Sequence, residues 1–411
     1  MPEPDARASV EAIFREERGL LLAALVRRFG DLDLAEEVAS DAIEAALVHW
    51  PVRGVPPSPG AWLMTTARRK AVDRLRRDRA YAARLALLQV EAERTGPAPA
   101  PAPDGGLPDE RLQLFFTCAH PALAAEDRAA LTLRCLAGLT TPEVARAFLV
   151  PTATMAKRIV RAKHRIREAR IPFRVPGPDE LPARLPGVLQ VLYSIFTEGY
   201  AAARNDLAEE AVRLARILRR LLPDERETAG LLALMLLTHA RNAARVGADG
   251  GLLLLEEQDR SRWDRPLIEE GRRLAEEALT GGAPGPYGVQ AAIAALHDEA
   301  PDVPSTDWPQ IVALYDVLLA LTPSPVVALN RAAAVAMRDG PAAGLALLDG
   351  LAGEPRLRGY HPYAAARADL LRRLGRFPEA AAAYREALDL AETEPERALI
   401  RRLLDAVGTS G

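Results

Sequence analysis

Three charged stretches hold the residues of this 411-residue chain whose types and spacing could do chemistry. From Arg68 to Arg79 seven Arg or Lys stand against two Asp, and from Lys157 to Arg170 seven stand against Glu168 alone. The chain's only lysines, Lys70, Lys157 and Lys163, fall in these two runs although the net charge of the whole is -3. Basic stretches in a near-neutral chain are the footprint of polyanion binding, because neutralising phosphates releases their counterions. The segment from Asp31 to Glu44 is the opposite, with Asp31, Asp33, Glu36, Glu37, Asp41 and Glu44 and no Lys or Arg. Such a segment suits docking on a basic partner. Each run taken alone is equally compatible with a solvated helix face.

The elements that must carry these charges are helices. Ala, Leu, Arg and Glu dominate, aromatics make up 5% of the chain, and period-two runs of β-branched residues are missing. The composition therefore predicts an all-α fold. Ahead of the second basic stretch, Ala129–Leu136 reads as an apolar helix stopped by Gly138. Thr140 or Thr141 then caps a short helix over 142–149, with Glu143 placed for a capping box and Pro142 in its first turn. A third helix follows Pro151, with Thr152 as its expected cap. Its buried stripe is Met155, Ile159, Ala162 and Ile166, and Lys157, Arg158, Arg161 and Arg165 are expected on the other side. Two short helices joined by a tight turn, the second with a basic outer face, match a DNA-binding helix-turn-helix. The free amides at the start of that second helix, with Thr152 and Thr154, could hold a phosphate. A plain three-helix bundle is the alternative.

With these residues in view, the chain resembles the extracytoplasmic-function (group IV) sigma factors of RNA polymerase over roughly residues 8–172. Gly60–Arg77, with its Trp-Leu, Ala-Arg and Asp-x-Leu-Arg-Arg, is similar to that family's promoter-melting helix. Asp33–Ala42, followed by Trp50, looks like its polymerase-gripping helix, and Pro151–Ala162 like its recognition helix for the upstream promoter element. The resemblance implies that Glu36, Glu37 and Asp41 share a face that docks on the clamp helices of the polymerase largest subunit, with the β flap as a second contact. It implies that Arg68, Arg69, Lys70, Arg74, Arg76 and Arg77 meet the downstream promoter element. Thr152, Thr154, Lys157, Arg158, Arg161 and Arg165 would meet the upstream one. The loop Arg53–Pro59 would by the same analogy cup an extruded base, and Trp62 itself reads as core in preference to a stacking residue. Arg69 stands where the family usually has Asn.

A Pro/Ala linker over 95–106 and a second break at Ile171–Pro178 divide the chain into segments 1–94, 107–172 and 178–411. The last is longer than typical members of that family carry. Leu370–Leu388 resembles a tetratricopeptide (TPR) repeat, and Gly340 and Gly375 are spaced close to its period. Amphipathic helices are expected over 207–222, 225–247 and 264–280, so the extension reads as a TPR-like helical array, and such arrays are mostly interaction surfaces. Within it Gln258, Asp259, Arg260, Arg262 and Trp263 pack alternating charge around a Trp and are the candidate regulatory residues, lining a pocket or docking onto the N-terminal domains, with a loop pinned by salt bridges as the equal alternative. Some sigma factors of this type carry an extension of this length, which the resemblance implies controls them in cis.

Other classes fit poorly. The six His are scattered, no G-x-S-x-G, H-E-x-x-H or Walker loop is present, and Cys118 and Cys135 lack zinc-site spacing. No catalytic residue, metal or cofactor is expected. Neither a signal peptide nor an apolar run of membrane length is seen, which points to the cytoplasm and away from a membrane. The reading is a sigma factor for promoter-specific initiation. The alternative is a one-component helix-turn-helix regulator with a helical sensor. Such a regulator has no need of an acidic helix followed by the Trp62–Arg77 helix.

Overall fold

The computed structural model describes residues 3–88, 111–148, 150–201, 205–247, 250–391 and 393–408. The linker expected over 95–106 lies outside the described residues, as does Leu149. The fold is all-helical; among the described residues the only β feature is an isolated antiparallel bridge between Val246 and Leu252. The chain forms two compact units, residues 1–214 and 215–411.

The first unit opens with α1 (Glu3–Phe29), α2 (Leu32–Arg53) and α3 (Pro59–Leu88). Asp31 caps α2, accepting from the amides of Asp33 and Leu34, and Gly54 at φ 81° ends it. The inner stripe of α2 is Ala35, Val38, Ala39, Ala42 and Ala46, ending on Trp50, while Leu63, Ala67 and Ala71 form the inner stripe of α3. Small residues at helical spacing let the helices approach closely.

Next come α4 (Arg111–Cys118), α5 (Ala125–Cys135), α6 (Thr141–Ala147) and α7 (Thr152–Glu168). The capping box forms as the sequence predicts: Thr140 Oγ1 accepts from Glu143 N, and Glu143 Oε2 accepts from Thr140 N at 2.7 Å. Gly138 takes φ 79°, the left-handed backbone expected after α5. Met155, Ile159, Ala162 and Ile166 are the buried stripe of α7. Its cap differs from expectation. Thr152 is already helical, and Pro151 holds the cap position with its carbonyl accepting from Thr154 N and Met155 N. Phe115 and Phe116 of α4 are fully buried, which stabilises by roughly 1.5–3 kcal/mol each. Cys118 and Cys135 are both buried, and a hydrogen bond to Cys135 together with burial pushes the Cys118 thiol well up. α8 (Leu181–Ala201) packs on α4 and α5, so the segment after residue 178 begins with a helix belonging to this unit. α9 (Asn205–Leu221) runs across the boundary.

The second unit contains α10 (Arg226–Ala240), α11 (Arg265–Leu279), α12 (Pro286–Glu299), α13 (Trp308–Leu321), α14 (Pro325–Asp339), α15 (Pro341–Gly350), α16 (His361–Arg373), α17 (Phe377–Leu390) and α18 (Glu394–Gly408), each packed on its neighbours in sequence. α10 is buried on nearly every side from Thr228 to Leu237, with α11 and α12 against it. A Cβ on Gly230 would lie 2.5 Å from Gly288 N, so this crossing admits no side chain there. Glu227 accepts from Tyr287 N and Gly288 N at 3.0 and 3.1 Å, holding the first turn of α12. The helix expected over 225–247 stops at Ala240, because Asp264 N takes the Ala240 carbonyl at 2.9 Å and the chain turns into short 3-10 segments. Gly340 and Gly375 both adopt positive φ, at the α14–α15 and α16–α17 turns.

Candidate nucleic-acid interface

The outward face of α7 is smaller than its charge count suggests. Thr152, Thr154, Lys157, Arg161 and Arg165 are exposed. Arg158 is drawn sideways onto Glu126 of α5 at 2.8 Å, its side chain only 17% exposed. Lys163 and Arg167 turn the other way. Lys163 Nζ lies 2.5 Å from Glu36 and 2.8 Å from Asp33, both on α2, and Arg167 is 2.6 Å from Asp33. Burial pulls the Lys163 ammonium down, but Glu36 and Asp33 outweigh it and leave the group above its ordinary value.

Glu36 is the centre of this cluster. It is 6% exposed and also meets Arg18 of α1 and Arg134 of α5, each at 3.1 Å. Burial and Arg134 push the Arg18 guanidinium down, with Glu36 acting against them. Three cations from three helices thus surround one carboxylate. Glu36 therefore leaves the face it was expected to share with Glu37 and Asp41, because its side of α2 is covered by α1, α5 and α7.

Glu37 and Asp41 stay near the surface, paired with α3: Glu37 with Arg74, and Asp41 with Lys70 at 3.9 Å. Arg68, Arg69, Arg76 and Arg77 of α3 are exposed. Trp50 and Trp62 meet edge to face at 5.5 Å, and Trp62 is half-buried, with part of its ring facing a cavity of about 630 Å³. His49, Arg53, Pro56, Pro57, Thr66 and Arg69 also line that cavity. It is wide enough for a planar heterocycle and offers an aromatic wall, hydroxyls and guanidinium groups to it.

Sequence reasoning missed three exposed valines. Val48 and Val52 are 68% and 84% exposed and continue the surface stripe of Glu37, Asp41 and Glu44 along α2. Val160, at 62%, sits on the outer face of α7. The i, i+3, i+4 spacing from Glu37 and from Lys157 was the available signal.

In the second unit Trp263 is sealed at 3% exposure, with Arg260 over its ring at 4.5 Å and Arg241 at 5.5 Å. Arg260 donates to the carbonyls of His297 and Ala300, and Arg241 pairs with the buried Asp298 at 2.5 Å. Burial pushes Asp298 up to about 6 and His297 down to about 4. Asp259 caps the turn at Ser261, Gln258 reaches the Leu253 carbonyl at 3.4 Å, and Arg262 is exposed. The cavity of about 410 Å³ nearby is walled by Leu254, Leu255, Trp308, His361 and Leu403 among others, and Trp263 is not part of that wall. Among the described residues no group of three His, Cys, Asp or Glu is placed to hold a metal, and no helix is long and apolar enough to cross a membrane.

Comparison with known proteins agrees with this layout. Residues 13–81, which hold α2 and the basic part of α3, match sigma-70 region 2, and residues 116–166, which hold the helix-turn-helix, match sigma-70 region 4. Residues 184–279 match a family of unknown function, DUF6596. An uncharacterized protein of Rhizobium meliloti (strain 1021) is 45% identical over 392 residues, covering 93% of this chain and 92% of that protein. No solved structure matches. The chain belongs to the family of that Rhizobium meliloti protein, and with region 2 followed by region 4 in one polypeptide it is an RNA polymerase sigma factor that binds DNA and mediates promoter-specific transcription initiation.

Proposed function

We propose that the protein is a sigma factor of the extracytoplasmic-function group, acting in the cytoplasm and governed in cis by its C-terminal helical repeats. The observation that carries this reading is the acidic helix α2 lying against two separate basic helices, α3 and α7, in one compact unit. Segment 1–94 grips core polymerase at the clamp helices of its largest subunit through Glu37 and Asp41, with Glu44, Val48 and Val52 continuing the docking face. Arg68, Arg69, Lys70, Arg74, Arg76 and Arg77 follow the downstream element, and the cavity beside Trp62 receives an extruded base. Segment 107–172 lies on the β flap and reads the upstream element with Lys157, Arg161 and Arg165, while Thr152 and Thr154 hold a phosphate at the start of α7. The segment after residue 178 carries a TPR-like array whose Gln258–Trp263 stretch sets its shape and so its effect on transcription.

The test is transcription by core RNA polymerase from a related bacterium, with the full-length chain added. Initiation at a discrete promoter set supports the reading; DNA binding without core association would leave a one-component regulator instead. The double variant Glu37→Ala with Asp41→Ala should lose core binding by about tenfold or more. Its folding stability should change by less than about 1 kcal/mol, since both ion pairs are solvent-exposed. Truncation after residue 221, which keeps α8 and α9 with the first unit, should change the amount of transcript without changing the start sites.

A further inference from the structure

We infer that Val160 is a specificity-determining residue that reads a thymine methyl group in the upstream promoter element. The inference rests on the assignment of α7 as the recognition helix. Lys157, Val160, Arg161 and His164 stand at i, i+3, i+4 and i+7 on α7, and all four are exposed. This is the spacing at which a helix in the major groove presents side chains to consecutive base edges. Opposite this face lies the stripe of Met155, Ile159, Ala162 and Ile166, which is at most 4% exposed. The flanking basic residues Arg158 and Lys163 are withdrawn into ion pairs with Glu126 and with Glu36 and Asp33. What remains outward is a basic rim around one branched apolar side chain.

The chemistry of that face selects its ligand. Lys157 and Arg161 can donate to guanine O6 and N7 or to phosphates, but Val160 can neither donate nor accept a hydrogen bond. The apolar group that the major groove displays is the C5-methyl of thymine. Val160 is stiff at χ1, so its two methyl groups are held in place without loss of rotamer freedom on binding. In water the same side chain leaves apolar surface exposed at 62%. Seating it on a thymine methyl removes both surfaces from solvent, which corresponds to a roughly three- to fivefold preference for thymine over a base without the methyl.

The experiment uses the full-length chain with core RNA polymerase. Promoters are selected from a randomised DNA library, and each thymine of the upstream element, on either strand, is then replaced singly by deoxyuridine, which pairs identically but lacks the methyl. The expected result is one position where deoxyuridine lowers initiation roughly three- to fivefold with the wild-type chain and has no effect with Val160→Ala. Val160→Ala should keep wild-type core affinity and wild-type activity on the deoxyuridine template. An element insensitive to deoxyuridine at every position, or a sensitivity that survives in Val160→Ala, overturns the inference while leaving the sigma assignment intact. Loss of core binding in Val160→Ala overturns it in favour of a polymerase contact. Failure to select any promoter refutes the recognition-helix reading itself, and the inference with it.

Discussion

Lys163 Nζ of α7 lies 2.5 Å from Glu36 Oε2 of α2, so a residue of the helix-turn-helix is tied to the acidic helix of region 2. Their side chains are 14% and 8% exposed, and Arg18 and Arg134 complete the cluster. A buried carboxylate shared by three cations holds them together, and without it they repel one another. Glu36→Gln should cost about 3–5 kcal/mol of stability, seen as faster amide exchange in α2 and α7 of the full chain. Lys163→Met leaves Glu36 with two arginines and should cost far less. Equal losses from the two variants would show that Glu36 does not organise the cluster.

Arg158 is held by Glu126 rather than pointing outward. Lys157→Ala and Arg161→Ala should each lower promoter-specific initiation about tenfold, the effect of roughly 1–3 kcal/mol of contact energy. Arg158→Ala should have a smaller effect, reproduced by Glu126→Ala and not increased when the two are combined. Additive losses in that cycle would show that Arg158 meets DNA by itself.

Trp263 packs against two guanidinium groups, and its Nε1 has no hydrogen-bond partner among the described residues. Trp263→Phe keeps a ring under Arg260 and gives up no hydrogen bond, so it should cost about 1 kcal/mol or less. Trp263→Ala should cost about 3–5 kcal/mol through the cavity it leaves. Calorimetry of the two variants separates packing from hydrogen bonding as the reason for the residue.

His297 and Asp298 respond to acid in opposite directions. His297 is held at about 4, below its unfolded value, so its contribution is present above about pH 6.5 and is lost as pH falls toward 4. Asp298 is held at about 6, above its unfolded value, so its contribution is greatest below about pH 4 and is lost as pH rises through 6. Between these limits the two offset each other. His297→Gln should therefore gain stability relative to wild type as pH is lowered from 6.5 to 4, by about 2–3 kcal/mol in urea unfolding. A constant difference across that range would show that the imidazole titrates as it does in water.

Local patterning determined much of this protein. The periodicity of Met155, Ile159, Ala162 and Ile166, the Thr140–Glu143 capping box and the glycines at 138, 340 and 375 place helices and turns from interactions only a few residues long. The order of acidic helix, basic helix and helix-turn-helix is likewise visible in the residues themselves. Only the tertiary structure decided which charges remain available. Seven basic residues from Lys157 to Arg170 look alike in sequence, yet Arg158, Lys163 and Arg167 are taken up by Glu126, Glu36 and Asp33. Glu36 looks like Glu37 until α1, α5 and α7 close over it. The end of α10 at Ala240 depends on Asp264 arriving from the far side of a loop. A helix register follows from its own side chains, whereas a charge is free or paired according to what distant segments bring within a few ångströms, where burial strengthens the attraction.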